Sequence, residues 1–250
     1  MRILVPTKRV PDTDQKIRVR ADSCGIEDEH LPFVINPFDA IALEEALRIR
    51  EQSSDNVEVL AVGIGSTEYE RELRTALAMG ADRALLVESS EQFDPWNVAR
   101  VLQVIVRREQ PELVLMGKQA VDDDSNQAGQ FLAALLDWPQ ATFASKIEFT
   151  GNGIRVCRET DAGIEVVSMS LPAVVTTDLR LNEPRYASLP SILKSKKKPI
   201  ERVAFDELNI ELEPRVTVLS MEAPPARSAG VRVADVDELL SRLRDEAKVI

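Results

Sequence analysis

The chain of 250 residues is poor in the side chains from which most catalytic and metal centres are built. It has one histidine, His30, and two cysteines, Cys24 and Cys157. A single histidine makes a Ser-His-Asp triad, a Cys-His pair or a multi-histidine metal site nearly impossible to assemble. The two cysteines lack CxxC spacing and so predict neither a disulfide framework nor a zinc site. His30, followed by Leu31 and Pro32, is predicted to be a surface loop residue.

Long apolar runs and glycine-rich phosphate loops are also missing. No apolar run approaches the roughly 20 residues that a membrane-spanning helix needs. Neither GxGxxG nor GxxxxGK[ST] occurs, and Gly63-x-Gly65 after an apolar run is a weak signal alone. Residues 1–6 run straight into a strand pattern, without the look of a secretory signal or a transit peptide. We therefore expect a cytoplasmic protein without membrane insertion.

Acidic residues outnumber basic ones by 42 to 31, which gives a formal net charge of −11. Such a chain is not expected to hold nucleic acid through a phosphate-neutralising face. The basic run from Lys194 to Lys198 is an exception, and two interpretations of it stay open. It is either a solvated segment or an electrostatic docking patch beside Leu189, which between Ser188 and Pro190 suits an exposed hydrophobic anchor.

Strand-like and helix-like runs alternate over the first 136 residues. Apolar runs predict strands at 3–5, 57–62, 84–87 and 113–116. Apolar residues at helical spacing predict helices at 40–51, 69–79, 98–105 and 127–136. Pro37 suits the start of the first helix and Gly80 the end of the second. The pattern predicts an α/β fold with a doubly wound, mostly parallel sheet and helices on both faces.

The second half of the chain has a different character. Strand patterns follow at 142–149, 154–159, 164–169 and 173–177, with turns at 151–153 and 161–163. They predict an antiparallel extension of the sheet. Prolines from residue 184 onward predict an arm with little structure of its own, which lies on another subunit and ends in a helix around Val236–Leu243. The predicted domains are therefore a nucleotide-binding α/β domain, 1–182, and a recognition loop with a C-terminal arm, 183–250.

The strongest candidate for ligand binding is the loop of residues 117–129. It leaves the carboxyl end of a strand and is predicted to enter a helix at about Asn126, with Asp124 or Ser125 as the N-cap. Backbone N–H groups at such a helix start form a phosphate site. The aspartates 122–124 either hold the loop through Asx turns, which we favour, or bind a cation. Spacing alone also allows a polar loop with no ligand.

Several segments, in order along essentially the whole chain, have residues in common with the sequences of one protein family. They are residues 3–10, 36–38, 73–83, 117–127, 137–140, 142–145 and 178–190. Together they resemble the β-subunit of electron-transfer flavoprotein, and 178–190 is close to the signature of that family. The resemblance implies a heterodimer whose α-subunit holds FAD, while the β-subunit buries a structural AMP and has no catalytic side chains. It also implies electron donors of the acyl-CoA dehydrogenase kind and a membrane quinone oxidoreductase as the acceptor.

Carried over residue by residue, the resemblance assigns two sets of positions. The AMP-binding set comprises Pro6, Asn36, Pro37, Phe38, Asp39, Ile64, Gly117, Lys118, Gln119, Ala120, Val121, Asp122, Asp123, Asp124, Ser125, Asn126, Gln127 and Ala128. The dehydrogenase-binding set comprises Arg185, Tyr186, Ala187, Ser188, Leu189, Pro190, Ser191, Ile192, Leu193 and Lys194, with Leu189 as the anchor. No metal ligand is assigned. The proline-rich arm and last helix are expected to embrace the α-subunit.

Four positions depart from the family pattern. Pro6 and Ile64 stand where relatives often have smaller residues, Asp39 where many have cysteine, and Thr13 where many have an aromatic residue near the flavin. The sequence of the 117–127 loop resembles that of the AMP-binding branch of the family. Another branch, which bifurcates electrons, binds a second FAD in the β-subunit instead. The resemblance also places the protein in the bacterial cytoplasm or, in a eukaryote, in the mitochondrial matrix.

Two other classes of function remain as alternatives. One is an adenine-nucleotide hydrolase or pyrophosphatase in which the aspartates 122–124 hold Mg²⁺, although the chain lacks a phosphate-loop signature. The other is a stress-type nucleotide-binding regulator with no redox role.

Overall fold

A computed structural model describes residues 1–151, 153–226 and 229–250. They form two compact units, one of Met1–Ile17 and Glu27–Val218 and a smaller one of Arg18–Ile26 and Leu219–Ile250. The larger unit thus runs on to Val218, beyond the boundary predicted at residue 182. The middle residue of the predicted turn at 151–153, Asn152, lies outside the described residues.

The predicted alternation of strands and helices is present in the first half of the larger unit. The strands are β1 (Arg2–Pro6), β2 (Arg9–Pro11), β3 (Phe33–Ile35), β4 (Glu58–Gly65), β5 (Arg83–Glu88) and β6 (Leu113–Gly117). The helices are α1 (Pro37–Gln52), α2 (Glu70–Met79), α3 (Pro95–Glu109) and α4 (Ala128–Leu136). Pro37 stands in the first turn of α1, and Gly80 ends α2 with a φ of 137°. The short antiparallel pair of β2 and β3 was not predicted, because three-residue strands carry little periodicity.

The predicted strands of the second half are present as well. They are β7 (Gln140–Thr150), β8 (Gly153–Thr160), β9 (Gly163–Met169) and β10 (Ala173–Thr177). The proline-rich segment contains two elements that the sequence did not predict, α5 (Leu189–Ser195) and β11 (Glu201–Ala204). Pro190 is tolerated in the first turn of α5, where its missing N–H breaks no helical hydrogen bond. Residues 189–204 are therefore part of the larger unit rather than unstructured.

The main sheet has nine strands in the order β11-β5-β4-β1-β6-β10-β7-β8-β9. All neighbours from β11 to β7 are parallel, and β8 and β9 add an antiparallel extension. The mixed α/β fold with a mostly parallel sheet is thus confirmed. After β1 the chain builds outward through β4 and β5 and then returns to place β6 on the other side of β1. This reversal of strand order creates a crevice at the carboxyl ends of β1 and β6, where α/β sheets bind ligands.

Two apolar clusters cover the two faces of the sheet. Adjacent residues of β1 show the division, because Ile3 belongs to the cluster with Leu43 of α1 and Leu73 of α2. Its neighbour Leu4 belongs to the cluster with Leu102 of α3, as successive side chains of a strand point to opposite faces. The helices therefore lie on both faces, as the doubly wound prediction requires.

The smaller unit pairs a turn with the C-terminal segment. Val19 bridges to Ile26, and the N–H of Met221 donates to the carbonyl of Ser23 at 2.8 Å. The last helix, α6, spans Val236–Ser241 and continues as a π-helical turn, so it matches the predicted terminal helix. No helix in ranges 1–151, 153–226 and 229–250 is both long and apolar enough to cross a membrane.

Close packing between helices and strand ends depends on two glycines. A Cβ atom on Gly117 would lie 2.5 Å from Oδ1 of Asp39 and 2.6 Å from Cβ of Phe38. A Cβ atom on Gly129 would lie 2.5 Å from Cγ2 of Thr176. These glycines let the first turn of α1 touch the end of β6, and let α4 approach β10.

We predict that Gly117→Ala lowers the free energy of unfolding by about 1–3 kcal/mol, because the new methyl group overlaps Asp39 and Phe38. Urea unfolding that shifts its midpoint at an unchanged m-value would measure this loss. Gly151→Ala is the matched control, because a Cβ atom there meets no described atom within 4 Å. Equal midpoints for the two variants would contradict the prediction.

Candidate functional site

The candidate site lies where β1 and β6 separate. Within the described chain these strands are paired only at Ile3–Leu113 and Leu4–Val114, near their beginnings. Each strand pairs over five positions with its other neighbour, β1 with β4 and β6 with β10. The sheet therefore opens between the carboxyl ends of β1 and β6. The loops that follow these strands, and the start of α1, meet at this opening.

A buried carboxylate spans the opening. Asp39, only 6% exposed, accepts the backbone N–H of Lys8 on Oδ2 at 2.8 Å and that of Gly117 on Oδ1 at 2.9 Å. Burial raises the pKa of Asp39 to about 6, although the two N–H donors favour the ionised form. The carboxylate thus joins the loops after β1 and β6 through α1. Its charge faces main-chain donors, which gives this departure from the family pattern a structural role.

Asn36 ties the same helix to the candidate loop. Its Nδ2 donates to the carbonyl of Gln119 at 2.9 Å, and its Oδ1 accepts the N–H of Val121 at 3.2 Å. Asn36 is the N-cap residue of α1, but its side chain is used for the loop and makes no capping bond within the described chain. The hydroxyl of Thr177 donates to the carbonyl of Phe38 at 3.0 Å and adds β10 to the assembly.

The aspartates of the loop are engaged in holding it. Nζ of Lys8 lies 2.8 Å from Oδ1 of Asp122 and 2.9 Å from Oδ2 of Asp123. Burial lowers the pKa of Lys8, but the two carboxylates outweigh it and raise the pKa above its ordinary value. Oδ1 of Asp123 also accepts the N–H of Ser125 at 3.1 Å, an Asx turn. These bonds agree with the loop-holding interpretation of the aspartates.

The predicted N-cap of α4 was wrong. The N-cap is Gln127 rather than Asp124 or Ser125, and the helix begins at Ala128 rather than at about Asn126. Asp124 and Asn126 have φ values of 51° and 50°, so the backbone is left-handed there and the helix cannot yet start. The side chain of Gln127 makes no capping bond to the residues described. Among the residues that the structure describes, the first N–H groups of α4 therefore lack a side-chain cap and suit an anion.

Lys118 does not extend toward the loop that it begins. Its Nζ lies 2.8 Å from Oδ2 of Asp178 and 4.7 Å from the centre of the Phe143 ring. Phe143 has a left-handed φ of 59°, at a point where the pairing of β7 with β10 shifts register. A non-glycine residue in that region is strained and is retained where its surroundings fix it. The ammonium of Lys118 is therefore held at the edge of the site.

The remaining predicted residues lie at the same edge of the sheet. Pro6 ends β1, and Ile64 is the penultimate residue of the neighbouring strand β4. Sequence reasoning missed Lys8 and Asp178 as site residues. Lys8 could have been predicted from the sequence, because it follows the first strand of an α/β fold and the aspartate loop follows another strand of the same sheet. Asp178 had none, because its partner Lys118 is 60 residues away.

The predicted dehydrogenase-binding residues form a second candidate surface. Tyr186 is 97% exposed, Leu189 77% and Leu193 62%, so the expectation of an exposed leucine is confirmed. Ser188 caps α5 by accepting the N–H of Ser191 at 3.3 Å. Arg185 behaves differently, because its guanidinium binds two glutamates of α1.

The lysine run beside this surface is only partly free. Lys194, Lys196 and Lys197 are exposed, whereas Ser195 is buried. Nζ of Lys198 donates to the carbonyl of Ala81 at 2.8 Å and fastens the run to the end of α2. Three exposed lysines thus follow the exposed apolar residues along the chain.

We predict that the contribution of Asp39 to stability falls as the pH rises. Since its pKa is raised in the folded state, this contribution is fully present below about pH 3.8 and is lost as the pH rises through about 6. Asp39→Asn removes the titration. The free-energy difference between wild type and variant should therefore shrink by roughly 1–3 kcal/mol from about pH 4 to 7. Urea unfolding at stepped pH tests this, and a constant or growing difference would contradict it.

Comparison with known proteins identifies the family of the chain. Residues 24–208 match the family model described as the electron transfer flavoprotein domain. The chain is 50% identical over 250 residues to the electron transfer flavoprotein subunit beta of Bradyrhizobium diazoefficiens, with both chains covered in full. It is 49% identical over 252 residues to the mitochondrial form of that subunit in Arabidopsis thaliana, again over both full lengths. It is 47% identical over 253 residues to the subunit of Homo sapiens, over all of this chain and 99% of the relative. The chain therefore belongs to the electron transfer flavoprotein β-subunit family.

Proposed function

We propose that the chain is the β-subunit of a heterodimeric electron carrier, with no catalytic side chains of its own. It binds AMP, docks acyl-CoA and related dehydrogenases, and helps pass their electrons through FAD on an α-subunit to a membrane quinone oxidoreductase. Family membership supports this role, since the relatives are named as beta subunits. We place the protein in the mitochondrial matrix if it comes from a eukaryote, because a relative in Arabidopsis thaliana is named mitochondrial. If it comes from a bacterium, we place it in the cytoplasm.

The loop of residues 117–128 is the observation that carries the AMP proposal. It leaves β6 at the opening beside β1, is held by Asn36 and by Lys8, and leads into the uncapped start of α4. A phosphate group fits such N–H donors and the positive end of the helix dipole. Bound at this loop, AMP would supply structure rather than chemistry.

Docking is supported by the combination of apolar and basic groups around α5. Tyr186, Leu189, Ile192 and Leu193 are exposed apolar residues, and the exposed lysines of the 194–197 run follow them along the chain. An apolar anchor followed along the chain by charges of one sign fits a partner with an apolar pocket and an acidic rim. We assign that partner to the dehydrogenases.

The smaller unit supports a partner role for the C-terminal arm. Its apolar residues Leu219, Val236 and Val249 are 88%, 68% and 67% exposed. Largely exposed apolar side chains that recur along one segment fit a surface that another chain covers. We assign that chain to the α-subunit, whose FAD supplies the one- and two-electron chemistry.

The hydrolase alternative is not favoured. It requires the carboxylates of residues 122–124 to bind a cation, but two of them bind the ammonium of Lys8. Over the described ranges, no group of three or more His, Cys, Asp or Glu side chains is arranged to hold a metal ion.

We predict one AMP and one FAD per heterodimer. The β-chain would be co-expressed with its α-subunit, and the nucleotides would be extracted and identified by mass spectrometry. Asn36→Ala should lower the AMP content of the purified heterodimer, because the loop loses two hydrogen bonds that fix its backbone. Asn56→Ala, at an exposed position, is the control and should retain full AMP. Recovery of two FAD per heterodimer would overturn the AMP assignment.

We predict that Leu189→Ala raises the KM of an acyl-CoA dehydrogenase for the heterodimer by about tenfold, as expected for loss of a central apolar anchor. AMP content and the free energy of unfolding should stay unchanged, because the side chain is exposed. Leu179→Ala removes a leucine that is 54% exposed outside the docking segment and should leave the KM unaltered. Identical kinetics for Leu189→Ala and wild type would refute the anchor assignment.

A further inference from the structure

The docking segment, residues 186–194, is fastened to the core of the larger unit just before it begins and just after it ends. We propose that Arg185 and Arg74 are positioning residues that hold this segment in its binding shape before a dehydrogenase arrives, and that neither one contacts the dehydrogenase. This inference rests on the proposed docking role of the segment. It also separates Arg185 from the dehydrogenase-binding set that the family resemblance assigned.

The fastening at the start of the segment is a cluster of charge-assisted hydrogen bonds. Nε of Arg185 donates to Oε2 of Glu44 at 2.7 Å, and Nη2 donates to Oε1 of Glu44 at 3.0 Å and to Oε2 of Glu51 at 3.1 Å. The backbone N–H of Arg185 also donates to Oε2 of Glu44 at 3.1 Å. A guanidinium used in this bidentate manner is fixed in direction as well as in place.

Glu44 identifies which side of Arg185 faces the core. Its side chain is 4% exposed, and Nε of Arg48 on the next turn of α1 binds the same carboxylate at 3.0 Å. Three residues before Arg185, Nδ2 of Asn182 donates to the carbonyl of Ile41 at 3.1 Å and to Oε2 of Glu45 at 3.0 Å. The chain is thus bound to α1 for several residues before its exposed part begins.

The fastening at the end of the segment uses α2. Nη1 of Arg74 donates to the carbonyl of Ser195 at 2.7 Å and also binds the carbonyl of Lys198. Nη2 of Arg74 is held by Oε1 of Glu70 at 3.1 Å. A cation on the last carbonyls of α5 satisfies acceptors that a helix end leaves open, and it opposes the negative end of the helix dipole.

These contacts have a physical purpose because α5 is short. Seven residues are too few for a helix to persist without tertiary support. If the segment were free, Tyr186, Leu189 and Leu193 would have to be ordered whenever a partner bound, and this ordering would weaken binding. Fastening both ends removes this ordering cost before the partner binds. Loss of either arginine should therefore weaken docking and leave the rate of electron transfer unchanged.

Glu44 allows positioning to be distinguished from direct contact. Because its carboxylate is buried, Glu44→Gln changes docking only indirectly, through Arg185 and Arg48 and the segment that follows. If Arg185 is a positioning residue, the KM of a dehydrogenase for the heterodimer rises in Arg185→Ala and in Glu44→Gln, and the double variant is no worse than Arg185→Ala alone. If Arg185 touches the dehydrogenase, Glu44→Gln leaves the KM unchanged.

The experiment uses the complete heterodimer with bound FAD, a purified acyl-CoA dehydrogenase and its acyl-CoA substrate, and follows flavin absorbance. Arg185→Ala and Arg74→Ala are expected to raise the KM by about five- to tenfold with kcat within about twofold, which is the signature of lost binding alone. If Glu44→Gln prevents folding, Glu51→Gln replaces it, because Glu51 is half-exposed and also binds Arg185. Arg180→Ala is the charge-matched control, since Arg180 is 67% exposed and pairs with Glu159.

Hydrogen exchange of the free heterodimer gives a readout that is independent of any dehydrogenase. Amides of residues 186–195 should exchange faster in Arg185→Ala and in Arg74→Ala, but not in Arg180→Ala. Unchanged exchange, or faster exchange with an unchanged KM, overturns the positioning role. If Leu189→Ala also leaves the KM unchanged, then docking through this segment fails as a whole. A raised KM for Leu189→Ala but not for the arginine variants rejects this inference alone.

Discussion

The carboxylate of Asp39 is the interaction on which the candidate nucleotide site depends. Parallel strands that stayed paired to their ends would leave no room between the loops of β1 and β6. Pairing instead stops after Leu4 and Val114, and the first turn of α1 enters the opening. A buried acceptor with two oxygens then satisfies one N–H from each side. Without such an acceptor, two buried N–H donors would lack partners. The free-energy cost of leaving a buried donor unpaired is larger than the average net contribution of a hydrogen bond to stability.

Electrostatics around the candidate loop follow from the same geometry. Three successive aspartates beside a phosphate would repel it if their charges were free. Lys8 lies at the end of β1, within reach of two of them, so the strand that forms one wall of the opening also neutralises the opposite loop. The first N–H groups of α4, which Gln127 does not cap in the described chain, are then available to a ligand. The acidic composition of the chain is thus compatible with an anionic nucleotide.

Local sequence signals account for most of the fold but for little of the fine structure of the site. Apolar periodicity predicted the alternating elements, and Pro37 and Gly80 marked helix ends correctly, because these signals act within a few residues. The start of α4 was misplaced because the backbone at Asp124 and Asn126 is left-handed, and neither the capping signal nor the apolar periodicity of the sequence indicates that conformation. Arg185 and Glu44 are 141 positions apart, so no local pattern announces their pairing. The strand β11 was missed for the same reason, as its partner β5 lies over a hundred residues earlier.

Helix α1, with 16 residues, contacts both candidate surfaces. Its first turn engages the candidate nucleotide loop through Asn36 and Asp39, and its later turns bind Asn182 and Arg185. A chimaera that exchanged only residues 182–198 between two relatives would separate Asn182 and Arg185 from the hydrogen-bond acceptors on α1 of their own chain. Under the proposed docking role, transfer of dehydrogenase preference between two relatives would require that the carboxylates at positions 44, 45 and 51 be transferred together with residues 182–198.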